Sequence, residues 1–164
     1  MAIQNGGGIR AAIPAGNVTV GQAITVLPFG NTLAVMDATG AELKAAFEVS
    51  VKNAPEENGG FLHVSGARVV FDSSKPSGER VVSIELLNED GTYTAIEDSK
   101  MYTVATNAFT AKGGDGFHMF AKAYTEGRVT DLGLSDWENF AEHLTTLKAI
   151  PTATEGRITD QATK

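Results

Sequence analysis

The chain contains no cysteine. Disulfide scaffolds, thiolate zinc sites, iron–sulfur ligation and cysteine nucleophiles are excluded with it. Histidine is nearly as scarce, with His63, His118 and His143 scattered along 164 residues. Basic charge is in the minority: 13 Lys and Arg stand against 20 Asp and Glu, a formal charge of -7. Phosphate backbones are held chiefly by clustered Lys and Arg, so no nucleic acid polymer is expected as a partner. No run approaches the ~18 apolar residues of a spanning helix, so no membrane span is expected, and Met1–Arg10 lacks the basic start and apolar centre of a signal peptide. A secreted origin stays compatible with this if the chain is a piece of a longer precursor.

What is present points to one folded unit. At 164 residues with 42% hydrophobic content, the chain can bury a sizeable core, and disorder is excluded as its main description. Glycine is over-represented, with 18 where a usage of about 7% predicts roughly 12. The glycines concentrate in Gly6-Gly7-Gly8, Gly59-Gly60 and Gly113-Gly114-Asp115-Gly116. The sequences flanking these loops do not align, which argues against a repeat and for three loops converging on one place.

Strand patterns cover Thr32–Met36, Phe61–Val64, Ala67–Phe71, Val81–Leu87 and Met101–Thr106, with a hairpin joining the third and fourth through the turn-rich 72–78 segment. A helix is predicted from Ala41 to Val51, with Thr39 and Glu42 as a capping box. A second runs from about Asp136 to Lys148, capped by Ser135 with Glu138 at the box position, striped by Trp137, Phe140, Leu144 and Leu147, and stopped by Pro151. Val20–Leu27 is strand-like in composition, but Gly21, Gln22 and Ala23 favour a short helix ending at Pro28. Strands cluster in pairs and do not alternate regularly with helices, so the expected class is α+β, a single domain with a mixed, mostly antiparallel sheet. The chain begins directly in an Ala2-Ile3 strand with nothing preceding it to hold that strand, which reads as an N-terminal truncation.

The loops carry the candidate chemistry. Asn5-Gly6-Gly7-Gly8-Ile9-Arg10 is neither a Walker loop nor a dinucleotide fingerprint, for it lacks the Gly-Lys-Ser/Thr end and the G-x-G-x-x-G spacing. It presents backbone N–H groups flanked by an amide and a guanidinium, which suits an anionic or sugar-bearing ligand; a turn using its glycines only for backbone freedom is the alternative. In the third loop Asp115, fixed among glycines, is placed to accept hydrogen bonds from ribose hydroxyls. The same Gly-Gly-Asp-Gly-Phe run is similar to the Gly-Gly-Asp-Glu-Phe signature of diguanylate cyclases, but Gly116 has no side chain with which to ligate metal. Phe29, between Pro28 and Gly30, and Phe109, at the mouth of the third loop, are placed to stack on a base or else to fill core.

Taken together, Ala2-Ile3-Gln4-Asn5-Gly6-Gly7-Gly8-Ile9-Arg10, Val26-Leu27-Pro28-Phe29-Gly30-Asn31, Gly60-Phe61-Leu62-His63-Val64-Ser65-Gly66 and Phe109 followed six residues later by Asp115 resemble the C-terminal, substrate-binding domain of the 5'-nucleotidases, a family that includes UDP-sugar hydrolases and 2',3'-cyclic-nucleotide phosphodiesterases. The match in order extends to the closing Glu155-Gly156-Arg157-Ile158. The resemblance implies that the base is sandwiched between Phe29 and Phe109, that Asn5 and Arg10 contact the nucleoside and its phosphate side, that Asp115 holds the ribose hydroxyls, and that Asn31 and Gly59 line the base pocket. It further implies a ligand such as AMP, adenosine or a UDP-sugar, and an extracytoplasmic location, periplasmic, cell-wall or secreted. Hydrolysis would belong to a separate N-terminal metallophosphatase domain carrying two divalent metals, Zn or Mn, absent from this chain together with the first elements of the C-terminal domain. The three histidines here read as surface or otherwise satisfied residues, so no metal or other cofactor, and no catalytic residue, is expected in the chain itself. A surface or adhesion module that keeps the fold without turning over nucleotides is the alternative from a different class.

Overall fold

The computed structural model describes residues 1–150 and 153–163. Its first sheet has the order β3-β1-β7-β2-β8, from β1 (Ala2–Asn5), β2 (Thr32–Thr39), β3 (Leu62–Ser65), β7 (Met101–Asn107) and β8 (Val129–Ser135). The second has the order β6-β5-β4-β9, from β4 (Ala67–Phe71), β5 (Val81–Leu87), β6 (Tyr93–Ala95) and β9 (Ile158–Asp160). Both are antiparallel but for one parallel pair each, β1 with β7 and β4 with β9. Five α-helices accompany them among the described residues: α1 (Val20–Val26), α2 (Gly40–Val51), α3 (Ala108–Ala111), α4 (His118–Thr125) and α5 (Asp136–Leu147). This is the mixed α+β arrangement expected.

The core follows from side-chain period. In β2, alternate residues Ala34, Met36 and Ala38 are buried, as a strand with one covered face requires. α2 turns Leu43, Ala46, Phe47 and Val51 inward at helical spacing, and α4 adds Phe120. Ala34, Met36, Ala38, Leu43, Ala46, Phe47 and Phe120 join Val104 of β7 and Val69 and Ile84 of the second sheet in one contiguous buried cluster, so both sheets share a core. Each fully buried Phe or Leu contributes about 1.5–3 kcal/mol through removal from water.

The helix starts show how local chemistry selects boundaries. Thr39 and Glu42 form the expected capping box, Glu42 N–H donating to the Thr39 hydroxyl at 3.1 Å and Thr39 N–H to Glu42 at 2.9 Å. α1 is a helix, as favoured, and Thr19 with Gln22 makes a second box that the sequence reading did not name. At α5 the expected box is absent. Ser135 ends β8 with extended backbone and makes no capping bond; among the described residues its buried hydroxyl has no partner, and Asp136 accepts the Trp137 N–H at 2.7 Å instead. The stripe of α5 is also less buried than predicted: it lies against α1, Trp137, Phe140 and Leu144 are half-buried, and Leu147 is exposed. The helix ends at Leu147, while the stop predicted at Pro151 lies outside the described residues.

Candidate functional site

The glycine loops meet beside the C-terminal ends of β1 and β7. After Asn5 the chain makes one tight turn through Gly6–Gly8, in which Gly6 N–H donates to Phe61 O and Gly7 N–H to Gly59 O, each at 2.7 Å. A Cβ on Gly7 would lie 3.2 Å from the Gly59 Cα, so a larger residue would push the first and second loops apart by a few tenths of an ångström. The third loop leaves β7 at Asn107, makes the single turn of α3, and reverses at Gly113, whose φ is 93°. Asp115 follows with φ 56°, a left-handed conformation that Asp tolerates better than most side chains. Phe117 then anchors the loop in the core. Gly60 packs on Asp115, where an added Cβ would sit 3.3 Å from the Asp115 Cβ. Three loops do converge.

A pocket of about 290 Å³ lies among them, lined by Asn5, Gly7, Gly8, Phe29, Asn31, Phe109 and Asp115. Phe29 is 61% exposed and Phe109 46%, which decides against the reading of either ring as core. Phe29 and Asn31 come from the turn joining α1 to β2, where Gly30 takes φ 65°. Asn31 is fixed from α5: its carbonyl accepts the Asp136 N–H at 3.0 Å, and its side chain bonds the buried Asp136 carboxyl. Burial pushes that carboxyl's pKa up, against the bonds from Trp137 and Asn31 that favour its ionised form. Phe109 lies over Gly114, where a Cβ would meet the ring at 2.4 Å. Lys112 ties the third loop to β8 through Asp131 at 3.1 Å. Bonds from Thr32, from the Gly133 N–H and from Lys112 hold the Asp131 carboxyl down to about 2.

Five of the seven residues named from sequence line this pocket. Gly59 stands behind Gly7 as part of its support, not as lining. Arg10 stands on the rim with its guanidinium 6.0 Å from the Phe29 ring centroid; it is exposed, and its backbone N–H is held by Val26 O at 2.9 Å. Sequence reasoning missed the buried support beneath. Asn5 donates to Asp115 at 2.8 Å, Asn107 donates to Asn5 at 2.9 Å, and Thr110 N–H donates to Asn107 at 2.8 Å. The only available signal was Asn107 one residue before a short helix, an N-cap pattern. His63, His118 and His143 are all exposed. The His63 ring lies edge-on to Phe61, and desolvation together with the charge of Arg157 holds its pKa below the ordinary 6.5. Among the described residues no group of three or more His, Asp and Glu could hold a metal ion.

A larger groove, about 780 Å³, runs between the 13–19 loop, α1 and α5. Its walls are mainly small and apolar, among them Ile13, Val18, Leu144 and Ile150, with Lys148 the one charged side chain among the described lining residues.

Comparison with known proteins bears on this arrangement. Residues 1–122 match the family model described as "5'-nucleotidase, C-terminal domain". The chain is 40% identical over 159 residues to the trifunctional nucleotide phosphoesterase protein YfkN of Bacillus subtilis (strain 168), covering 96% of this chain and 11% of that protein. It is 39% identical over 166 residues to a snake venom 5'-nucleotidase of Macrovipera lebetinus, covering 97% of this chain and 40% of that one. A crystal structure of a 5'-nucleotidase precursor from Thermus thermophilus superposes with a TM-score of 0.90 at 48% identity, over 96% of this chain and 30% of that one. The chain thus spans well under half the length of these relatives. It belongs to the family of the 5'-nucleotidase C-terminal domain.

Proposed function

We propose that this chain is the nucleotide-recognising domain of a 5'-nucleotidase-type phosphoester hydrolase, and that residues 1–164 grip the nucleoside while hydrolysis belongs to a metallophosphatase domain outside them. The observation that carries the reading is the placement of two exposed phenylalanines and one carboxylate around a single small pocket. Phe29 and Phe109 supply apolar walls for a planar base, each stacking contact contributing about 1–3 kcal/mol. Asp115 accepts hydrogen bonds from the ribose hydroxyls, charge-assisted and so stronger than neutral ones. Asn5 holds that carboxylate, Asn31 faces the base, Gly59 backs the first loop, and Arg10 meets the phosphate side from the rim. AMP, adenosine and UDP-sugars are the ligands of choice.

Fixing base and sugar this way would hold the ester in one orientation, so that binding energy from the non-reacting part of the substrate serves the chemistry. Among the described residues no cluster of ligands fits a pair of divalent metals, so no step of hydrolysis is assigned to them. The family's activity, with Zn or Mn in the N-terminal domain, supplies that part. The snake venom relative and the precursor form of the Thermus protein support an extracytoplasmic location for the full-length protein.

Calorimetric titration with AMP, adenosine and UDP-glucose tests the reading. Phe29→Ala with Phe109→Ala is expected to weaken adenosine by at least about tenfold, since loss of stacking exceeds roughly 1.4 kcal/mol. Unchanged affinity in that double variant contradicts it. Added Mn²⁺ or Zn²⁺ should give no hydrolysis of AMP, and turnover by the pure chain would place the chemistry here after all.

A further inference from the structure

We propose that Asn107 is a positioning residue that couples the aromatic wall of the pocket to its carboxylate through a polarised relay of amides. The inference rests on the nucleoside reading above for its functional consequence, and on the hydrogen bonds alone for its structural one. Asn107 is 1% exposed, Asn5 4% and Thr110 0%, so water cannot satisfy these groups. At one end, Asp115 as a carboxylate can only accept, so Asn5 must turn its Nδ2 toward it, and does so at 2.8 Å. The Asn5 Oδ1 then points inward and needs donors. Asn107 Nδ2 provides one at 2.9 Å and the Thr110 hydroxyl a second at 3.3 Å, with the Gln4 amide at 3.4 Å.

With its amide NH₂ committed to Asn5 and to Gln4 Oε1 at 3.1 Å, Asn107 is left with Oδ1 for the other end, where it accepts the Thr110 backbone N–H at 2.8 Å. That bond caps α3, the turn that carries Phe109. Each link dictates the orientation of the next, from a carboxylate at one terminus to a backbone N–H at the other. One buried amide therefore fixes both the ring that would stack on a base and the carboxylate that would bind a sugar. Gly8 belongs to the same construction, for a Cβ there would stand 2.5 Å from Gln4 Nε2 and 3.0 Å from Asn5 Oδ1.

The polarity of the relay makes it testable by reversal. Asn107→Asp keeps the shape and the cap on Thr110 N–H, but sets an acceptor against Asn5 Oδ1. Asn5 can flip only by turning its oxygen on Asp115. Adding Asp115→Asn supplies a donor at that end, so the two links through Asn5 can run in the opposite sense while the Thr110 N–H still donates to residue 107. Thermal unfolding followed by circular dichroism should show Asn107→Asp melting well below wild type, Asp115→Asn near wild type, and the double variant recovering most of the loss. A double variant no more stable than Asn107→Asp alone overturns the relay, including the case in which neither folds.

Calorimetry supplies the functional readout. Wild type should prefer adenosine to 2',3'-dideoxyadenosine by about tenfold or more, the factor of one charge-assisted hydrogen bond. Asn107→Asp should abolish most of that preference while leaving dideoxyadenosine within about twofold of its wild-type affinity, a split that general loosening of the fold does not produce. An unchanged preference overturns the positioning role. Failure of wild type to bind adenosine at all would sink the proposed function, while the melting comparison would still decide the relay.

Discussion

Gly114 shows how far single positions are constrained by the ring they support. Its α-carbon lies beneath Phe109, and a methyl there would come within 2.4 Å of the ring, a separation that real Cβ contacts do not reach. Gly114→Ala should therefore tilt Phe109 out of the pocket. We expect adenosine to weaken by about tenfold, the loss of one stacking contact, and ribose 5-phosphate to bind unchanged. Equal losses for both ligands in parallel titrations would show that the substitution disturbs the loop as a whole. The chemistry-bearing side chains were legible in the sequence because the loops that carry them are local: Phe29 with Asn31, and Phe109 with Asp115, each sit within a few residues of their glycines. Arg10 flanks the first glycine loop in sequence, and its rim position depends on the distant Phe29 turn, which no local pattern contains. Asn107 offered only a local cap pattern, since its partner Asn5 lies 102 residues off.

Among the elements, α2 is tied at both ends by arginines. At its C-terminus Arg80 Nη1 donates to the Val51, Lys52 and Ala54 carbonyls at 2.8, 3.0 and 2.8 Å, adding to the Ala54 N–H that Val51 O accepts at 3.1 Å. Glu48 returns the tie by accepting the Arg80 and Val81 N–H groups at 3.0 and 2.7 Å. Arg80→Ala should cost about 1–2 kcal/mol, seen as a fall of roughly 2–8 °C in Tm; an unchanged Tm would show these carbonyls to be satisfied by water. At the N-terminus Glu42 pairs with Arg128 at 2.7 Å. Burial alone would raise the Glu42 pKa, but the Arg128 bonds, the Thr39 N–H and the Arg128 charge outweigh it and hold it below the ordinary 4.5. A lowered carboxylate pKa means stability present above 4.5 and lost as pH falls through the folded value. The difference in Tm between wild type and Glu42→Gln should accordingly be full at neutral pH and close on acidification below about pH 4.5. A difference independent of pH would assign the effect to packing.

The same elements show what could be read in advance. The Thr39 box was legible because its partners are three residues apart; Ser135 ends its strand in the same extended geometry as Thr39, yet its hydroxyl is buried without a partner among the described residues and Asp136 takes the Trp137 N–H in place of a box. The sequence reading omitted α3, α4, β6, β8 and β9. α3 is a single turn set by the Asn107 cap, and α4 begins at Phe117 without a capping side chain. β8 runs mostly exposed and shows no apolar alternation, and β9 is three residues whose strand character comes from parallel pairing with β4.

In the molecule as a whole, one core shared by two sheets presents a small polar-ended pocket at the meeting of loops drawn from distant parts of the chain. The fold class followed from paired strands and few helices, whereas the strand order, with β1 inserted between β3 and β7, is set by long-range pairing that has no local signature. Recognition and chemistry are separable in the proposed function, which gives residues 1–164 the nucleoside and a domain outside them the metals. The structure of the chain soaked with adenosine tests this most directly. The base should lie between the Phe29 and Phe109 rings with the ribose hydroxyls on the Asp115 carboxylate. Adenosine seated in the groove between α1 and α5, with both rings left uncovered, would contradict it.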